Sequence, residues 1–410
     1  MCCAGCGLAQ HCSRSSAVGF ALAAGVIGAV IPFRLVIDLG QDSVGSILQI
    51  IASSMLAVTT FSLTTMVTAY SSATTTATPR ATQLLVQDRT SQNALSTFVG
   101  AFTFSLVGII ALSTAYYSDQ GRTILFFGTL VVIAVIVVTL LRWIGHLTTF
   151  GRMSDVIDRV ETAAGDTLHA YATSPTLGAR RARAEDLAGH SAAVADTHGA
   201  RVRGEETGYV THIDIAALNR IGEDTDADLR VLTMPGTVVD PTTPLVHTRG
   251  HLDEGARTAV RRAFTVARHR DYDQDPRLGV IALAEIASRA LSPSTNDPGT
   301  AIEVIASLQR VFVRTLTTTP DDDVRYLRVL VEPVALQDLI TDAFRPIARD
   351  GAGMVEVQIR LQKCLGSLAR VAPGQAHLFR AAAERALTRV DAALTAEDAA
   401  AVHHAHDTHL

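Results

Sequence analysis

The side chains able to do chemistry fall into three sets. The first lies in and just after an apolar stretch from Val44 to Tyr70. There Ser53, Ala57, Thr60, Thr64, Thr68 and Ser71 recur three or four residues apart, a spacing that puts them on one face of a helix. Two readings compete. Small and hydroxyl residues let helices approach closely and hydrogen-bond across the contact. Alternatively, the stripe lines a water-filled path, where hydroxyls replace the hydration of an ion or solute. On this second reading Ser53, Thr60, Thr64, Thr68 and Ser71 are the pore-lining candidates. The two readings coincide if identical helices meet around an axis.

The second set comprises Asp275, within Gln274-Asp275-Pro276-Arg277, and Asn296 and Asp297, within Ser292-Pro293-Ser294-Thr295-Asn296-Asp297-Pro298. An aspartate directly before proline suits a helix N-cap with proline at the first helical position. If the two turns sit together, their polar groups at helix N-termini form a site for an ion or an anion.

The third set is scattered histidine and cysteine. His212 lies near Asp214, and His247 and His251 are four apart but straddle Gly250, which spoils a helical metal pair. His403, His404, His406 and His409 cluster near the C-terminus, where a solvated, disordered tail is expected. Of five cysteines, four are Cys2, Cys3, Cys6 and Cys12, and Cys364 stands alone. Cys3 and Cys6 lack the second ligand pair of a zinc site, and a disulfide framework is not supported. Lys363 is the only lysine, so lysine chemistry has one place to occur. No nucleophile elbow, phosphate loop or HExxH is present, and nothing names a cofactor or a metal.

These groups must be positioned by two kinds of element. About 20 apolar residues in a helix cross a bilayer core, and four stretches qualify: Ala17–Ile37, Val44–Tyr70, Ala94–Tyr117 and Thr123–Gly145. We expect a leader over 1–16 and a membrane domain over 17–146. Arginines set the orientation. Arg14, Arg80, Arg89, Arg142, Arg152 and Arg159 mark one side, while Arg34 and Arg122 accompany Asp38, Asp42 and Asp119 on the other. Both termini are therefore expected in the cytoplasm, with the chain multi-pass in the inner membrane. No Asp, Glu, Lys or His falls in the middle of a span, which counts against coupled transport. A net charge of −5 points to no nucleic-acid partner.

After the spans, Met153, Ile157, Val160, Ala164 and Leu168 predict an amphipathic helix, with a connector to residue 200. Over 201–250, alternating strands around Gly208–Ile215 and Leu229–Leu232 and a Pro235-Gly236 turn predict a small module resembling a β barrel-sandwich. Lipoyl and biotinyl carriers of that fold modify a lysine in a turn, and this segment has none. Residues 251–395 read as mostly helical with one strand near 324–333, and 396–410 as the His-rich tail. The fold class is thus membrane α-helical, with about four spans, followed by an α+β cytosolic domain.

The chain resembles the DUF2254 family of predicted bacterial membrane proteins. The residues that carry the likeness are Ser71 through Pro79-Arg80, Leu84, Asp88-Arg89-Thr90, Gly100, Phe102 and Phe104. Gly208-Tyr209-Val210, Pro235-Gly236, Gln274-Asp275-Pro276 and Ala290-Leu291-Ser292-Pro293 through Asn296-Asp297-Pro298 extend it. It covers most of 44–320, and the chain departs from the pattern at Ser294-Thr295 and in its Cys-rich start. The resemblance implies a multi-span inner-membrane protein with a cytosolic domain, and no established activity or catalytic residue.

Three functions are consistent with these residues: a homo-oligomeric channel gated by the cytosolic domain, a membrane-anchored sensor or scaffold, and a membrane-anchored enzyme using Asp275, Asn296 and Asp297. The channel ranks first. Its partners are the lipid bilayer, further copies of the chain and a small ion or solute.

Overall fold

A computed structural model describes residues 41–86, 88–114, 119–182, 199–321 and 323–410. The chain divides into two compact units, one of Met1–Thr75 with Thr82–Asp155, the other of Thr76–Ala81 with Val156–Leu410.

The first unit takes in α1 (Gln41–Thr76) as far as Thr75, α2 (Pro79–Val86) from Thr82, α3 (Arg89–Ser113) and α4 (Asp119–Leu147). Asp88 starts α3 by accepting the Ser91 N–H at 2.7 Å, an N-cap that satisfies one of the orphan donors of the first turn. Val44 and Leu48 of α1, Phe104 and Ala111 of α3 and Leu125 of α4 form the shared core. Gly108 lets Leu48 in, because a Cβ there would lie 3.0 Å from a Leu48 methyl.

Among the described residues, three helices are long and apolar enough to cross a membrane: Ser43–Thr74, Arg89–Ser113 and Gly121–Leu147. The expectation of four spans is therefore met by three. The stretch 17–37 lies outside the described residues, as do the N-terminal cysteines. The 32 residues of the first candidate span reach about 48 Å at the usual 1.5 Å rise, more than the roughly 30 Å of a hydrocarbon core.

The second unit begins its continuous run on α5 (Met153–Thr173), the predicted amphipathic helix, with Val156, Ile157, Val160, Ala164 and Leu168 buried. It then alternates β1 (Ala179–Arg181), β2 (Gly199–Arg203), β3 (Gly208–Ile213), α6 (Ile215–Asp224), β4 (Asp228–Val231), β5 (Val238–Val239), β6 (Pro244–Arg249), α7 (Glu254–Arg262) and β7 (Phe264–Ala267). Helices α8 (Leu278–Ala290) and α9 (Pro298–Leu316) precede β8 (Tyr326–Val331), and α10 (Leu336–Asp350), α11 (Val355–Val371), α12 (Ala376–Ala393) and α13 (Ala396–His409) close the chain.

The strands form two open sheets, one of order β1-β8-β4-β6-β2 and one of order β5-β3-β7. This corrects the barrel-sandwich expectation for 201–250: no closed barrel forms. The strands of that stretch divide between the sheets, and each sheet recruits a partner from elsewhere. β8 lies parallel to both β1 and β4, with Leu229 opposite Val329. β7 pairs antiparallel with β3 through Val210 and Val266. Parallel pairing needs a long crossover, and here nearly 100 residues separate β4 from β8. Alternation along one strand marks a buried face but does not name the neighbour.

A second correction concerns the tail. Residues 396–409 are a helix, capped by Thr395, with Val402 buried. His403 Nε2 lies 2.7 Å from Asp391 and His406 Nδ1 lies 3.0 Å from Gln362, so the polar side chains that suggested disorder instead dock the helix. The short segment Thr76–Ala81 also belongs to this unit: Arg80 pairs with Glu285, and Arg289 donates to the Ala77 carbonyl at 3.3 Å.

Candidate functional site

The hydroxyl stripe is one face of α1. Ser53, Ala57, Thr60, Thr64, Thr68 and Ser71 are all exposed, while Leu48, Ile51, Ala52, Met55, Ser62, Met66 and Ala73 are buried. The helical period places the two sets about half a turn apart. The hydroxyls are hydrogen-bonded within their own helix. Ser53 donates to the Gln49 carbonyl at 3.0 Å, Thr60 to Ala57 at 2.9 Å, Thr64 to Thr60 at 3.0 Å and Thr68 to Thr64 at 2.9 Å. Such back-bonding uses the hydroxyl hydrogen and leaves oxygen lone pairs for the surroundings. The face therefore presents acceptors, a chemistry suited to a cation or to water.

Asp275 is buried and fully engaged. Arg270 grips it with Nε at 2.6 Å and Nη2 at 2.9 Å, and the backbone N–H groups of Arg277 and Leu278 donate to Oδ1 at 3.1 and 3.2 Å. The Pro235-Gly236 turn presses on it from the other side. Gly236 has φ +91°, and a Cβ there would come within 2.5 Å of Oδ2, so both conformation and space require glycine. Gln274 adds a second tie, accepting the Ile213 N–H at 2.9 Å. The Gln274-Asp275-Pro276 motif thus joins the end of β3 and its neighbouring turn to the start of α8.

Asn296 and Asp297 sit at the other end of α8. Asn296 has φ +51°, a conformation that asparagine tolerates better than most residues. Its N–H donates to the Ser292 carbonyl at 2.8 Å, and that of Asp297 to Ala290 at 2.8 Å, closing the C-terminus of α8. Asp297 then caps α9, accepting from the Thr300 hydroxyl at 2.6 Å and the Thr300 N–H at 3.1 Å. Those two bonds hold its carboxyl below the usual range. The 13 residues of α8, about 20 Å long, separate Asp275 from Asn296 and Asp297. The two polar turns are not brought into one site.

His212 pairs with Asp273 at 3.1 Å, while Asp214 caps α6 through the Ala217 N–H at 2.8 Å. His247 lies on β6 and His251 beyond Gly250. Among the described residues, no group of three or more His, Cys, Asp and Glu side chains could hold a metal ion. Cys364 is fully buried, and burial pushes its thiol up to about 12, which makes it unreactive.

Sequence reasoning missed a polar layer within the first unit. Trp143 donates from Nε1 to Ser62 Oγ at 2.9 Å. His146, one turn on, places Nε2 3.1 Å from Asp88 Oδ2 and 3.3 Å from Ser91 Oγ. Its ring packs between Trp143 and Phe150, at centroid separations of 5.6 and 5.0 Å. The layer ties α1 to α4 and α4 to the start of α3. One clue was present: Trp143 is the only tryptophan, and His146 the only histidine between His11 and His169.

Comparison with family models matches residues 12–367 to the family described as predicted membrane protein (DUF2254). No curated protein and no solved structure matched the chain.

Proposed function

This chain belongs to the DUF2254 family of predicted membrane proteins, and we propose that it is a multi-pass inner-membrane protein forming a passive, homo-oligomeric pore, with its α+β unit and both termini in the cytoplasm. The observation that carries the reading is the exposed hydroxyl face of α1, set opposite the face that packs on α3 and α4. Small side chains at Ser53, Ala57, Thr60, Thr64 and Thr68 permit close approach of identical helices. Their outward lone pairs offer a conducted cation or water acceptors in place of its hydration. The absence of ionisable residues in mid-span favours passive conduction over coupled transport. The arginine bias supports the orientation.

Planar-bilayer recording on the purified full-length chain tests this. The expected result is a cation or water conductance that Thr64→Leu or Thr60→Leu lowers. A current indifferent to both changes removes the pore assignment. Cross-linking tests self-association separately. With Cys2, Cys3, Cys6 and Cys12 changed to serine, a Thr60→Cys chain is expected to form disulfide-linked dimers on oxidation. Cys364 is buried and stays silent. An exclusively monomeric product means that the face meets lipid, where the same back-bonding satisfies the hydroxyls.

A further inference from the structure

Helices α10, α11 and α12 enclose a cavity of about 330 Å³, at the small end of the roughly 300–1,000 Å³ typical of ligand pockets. Its floor is apolar, made by Ile340 and Phe344 of α10 and Leu361 and Leu365 of α11. Its rim is cationic: Arg345 comes from α10, and Arg385 and Arg389 lie one turn apart on α12. No aspartate or glutamate lines it. The nearby Asp342 is committed elsewhere, accepting two bonds from Arg277 at 2.6 and 3.0 Å. Arg389, which also lines the cavity, donates from its guanidinium to the Arg385 carbonyl at 2.8 Å.

Several arginines of this unit are held by an acidic partner: Arg270 by Asp275, Arg310 by Glu161, Arg314 by Asp166 and Arg349 by Asp350. Arg345 and Arg385 have none among the described residues. Two guanidinium groups without an acidic partner and a third tethered one thus line the same cavity as four buried apolar side chains. That arrangement is complementary to a molecule with an apolar body and a compact anionic head. Guanidinium groups bind carboxylate and phosphate oxygens through paired donors, and the apolar body gains by leaving water.

We propose that this cavity binds a small, freely soluble amphipathic anion, a short-chain carboxylate or phosphate monoester, with its head on Arg345, Arg385 and Arg389 and its body against Phe344 and Leu361. The site stands independently of any pore, since every residue it uses lies within the second unit. A charge-assisted hydrogen bond is worth about a factor of ten in affinity, so losing two guanidinium groups is expected to weaken binding at least tenfold.

The test is isothermal titration of the full-length chain in nanodiscs of zwitterionic phosphatidylcholine, corrected for empty nanodiscs. Octanoate and octyl phosphate are expected to bind, whereas octylammonium and inorganic phosphate alone are not. Arg345→Gln with Arg385→Gln, both exposed positions, should weaken octanoate at least tenfold. Ala382→Phe, which fills the mouth and keeps every charge, should weaken it as well. Equal binding of octylammonium, or octanoate binding unchanged in both variants, overturns the proposal. Repetition in nanodiscs containing phosphatidylglycerol separates the sources. Undiminished octanoate binding supports a soluble ligand, and its loss means that lipid headgroups occupy the arginines, which overturns the assignment.

Discussion

The two units of this chain put their apolar side chains in opposite places. Among the described residues, fifteen of the nineteen large hydrophobic side chains that are exposed lie on α1, α3 and α4, with Phe61, Val131 and Leu141 each more than 60% exposed. In the second unit, Ile286, Leu308, Val329 and Leu361 are fully buried, and Phe312 packs against Phe344 and Phe379 at centroid separations of 5.4 and 6.4 Å. Water drives the second arrangement. In hydrocarbon that force between helices vanishes, and packing with interhelical hydrogen bonds must replace it. The polar interior of the first unit, with Ser62 on Trp143 and Asp88 on His146, fits that requirement. The same kind of polar contact should therefore carry different weight in the two units.

The largest effect is expected in the second unit. Asp275→Ala leaves Arg270, whose side chain is only 15% exposed, without its buried partner. Breaking a buried pair from one side costs about 3–5 kcal/mol. It also frees the Gly236 turn and the first N–H groups of α8. Chemical denaturation followed on the α+β unit should show a loss of that size. A loss below about 1 kcal/mol would mean that the motif does not hold the unit together.

A middle-sized effect is expected at the other end of the same helix. Asp297 is an exposed N-cap, and replacing such a cap by alanine costs about 1 kcal/mol. Its pH dependence has a defined sign. The folded-state carboxyl titrates below its ordinary value because of Thr300. Its contribution is therefore complete above the unfolded pKa and fades as pH falls through the lower, folded one. Asp297→Ala should be less stable than wild type at neutral pH, and the two should converge in acid. A gap that widens on acidification would contradict the capping geometry.

The elements themselves were largely readable along the chain, and their partners were not. The apolar stretches predicted at 44–70, 94–117 and 123–145 fall within a few residues of α1, α3 and α4, and the helix predicted from Met153 forms α5. Each is a local pattern, since a continuous apolar run or a 3.6-residue period is complete within its own segment. The insertion of β8 between β1 and β4 has no local trace, because a strand displays its buried face and not its neighbour. The same holds at the level of side chains. Proline after Asp297 announces the start of α9, with Asp297 as its cap, whereas after Asp275-Pro276 the helix begins only at Leu278, with Arg277 at the N-cap. Arg270 and Gly236 around Asp275, and His146 opposite Asp88, are matters of approach in space. The polarity of its histidines makes the tail read as disordered, whereas Val402 and Ala405 supply the buried face that docks it.

The smallest effect, and the sharpest probe of the contrast, is expected from Ser62→Ala. It removes little volume and takes away only the acceptor of Trp143 Nε1, in a position where both side chains are buried. In a water-soluble core, stranding a buried donor costs about 1–3 kcal/mol. Between membrane helices the average measured value is about 0.6 kcal/mol, because the separated helices find other partners within the bilayer. Unfolding from bicelles should therefore show a loss several times smaller than that of Asp275→Ala. Equal losses at the two sites would mean that α1 and α4 meet in a water-excluding core like that of the second unit. The exposed leucines and valines around them would then have to be covered by protein and not by lipid.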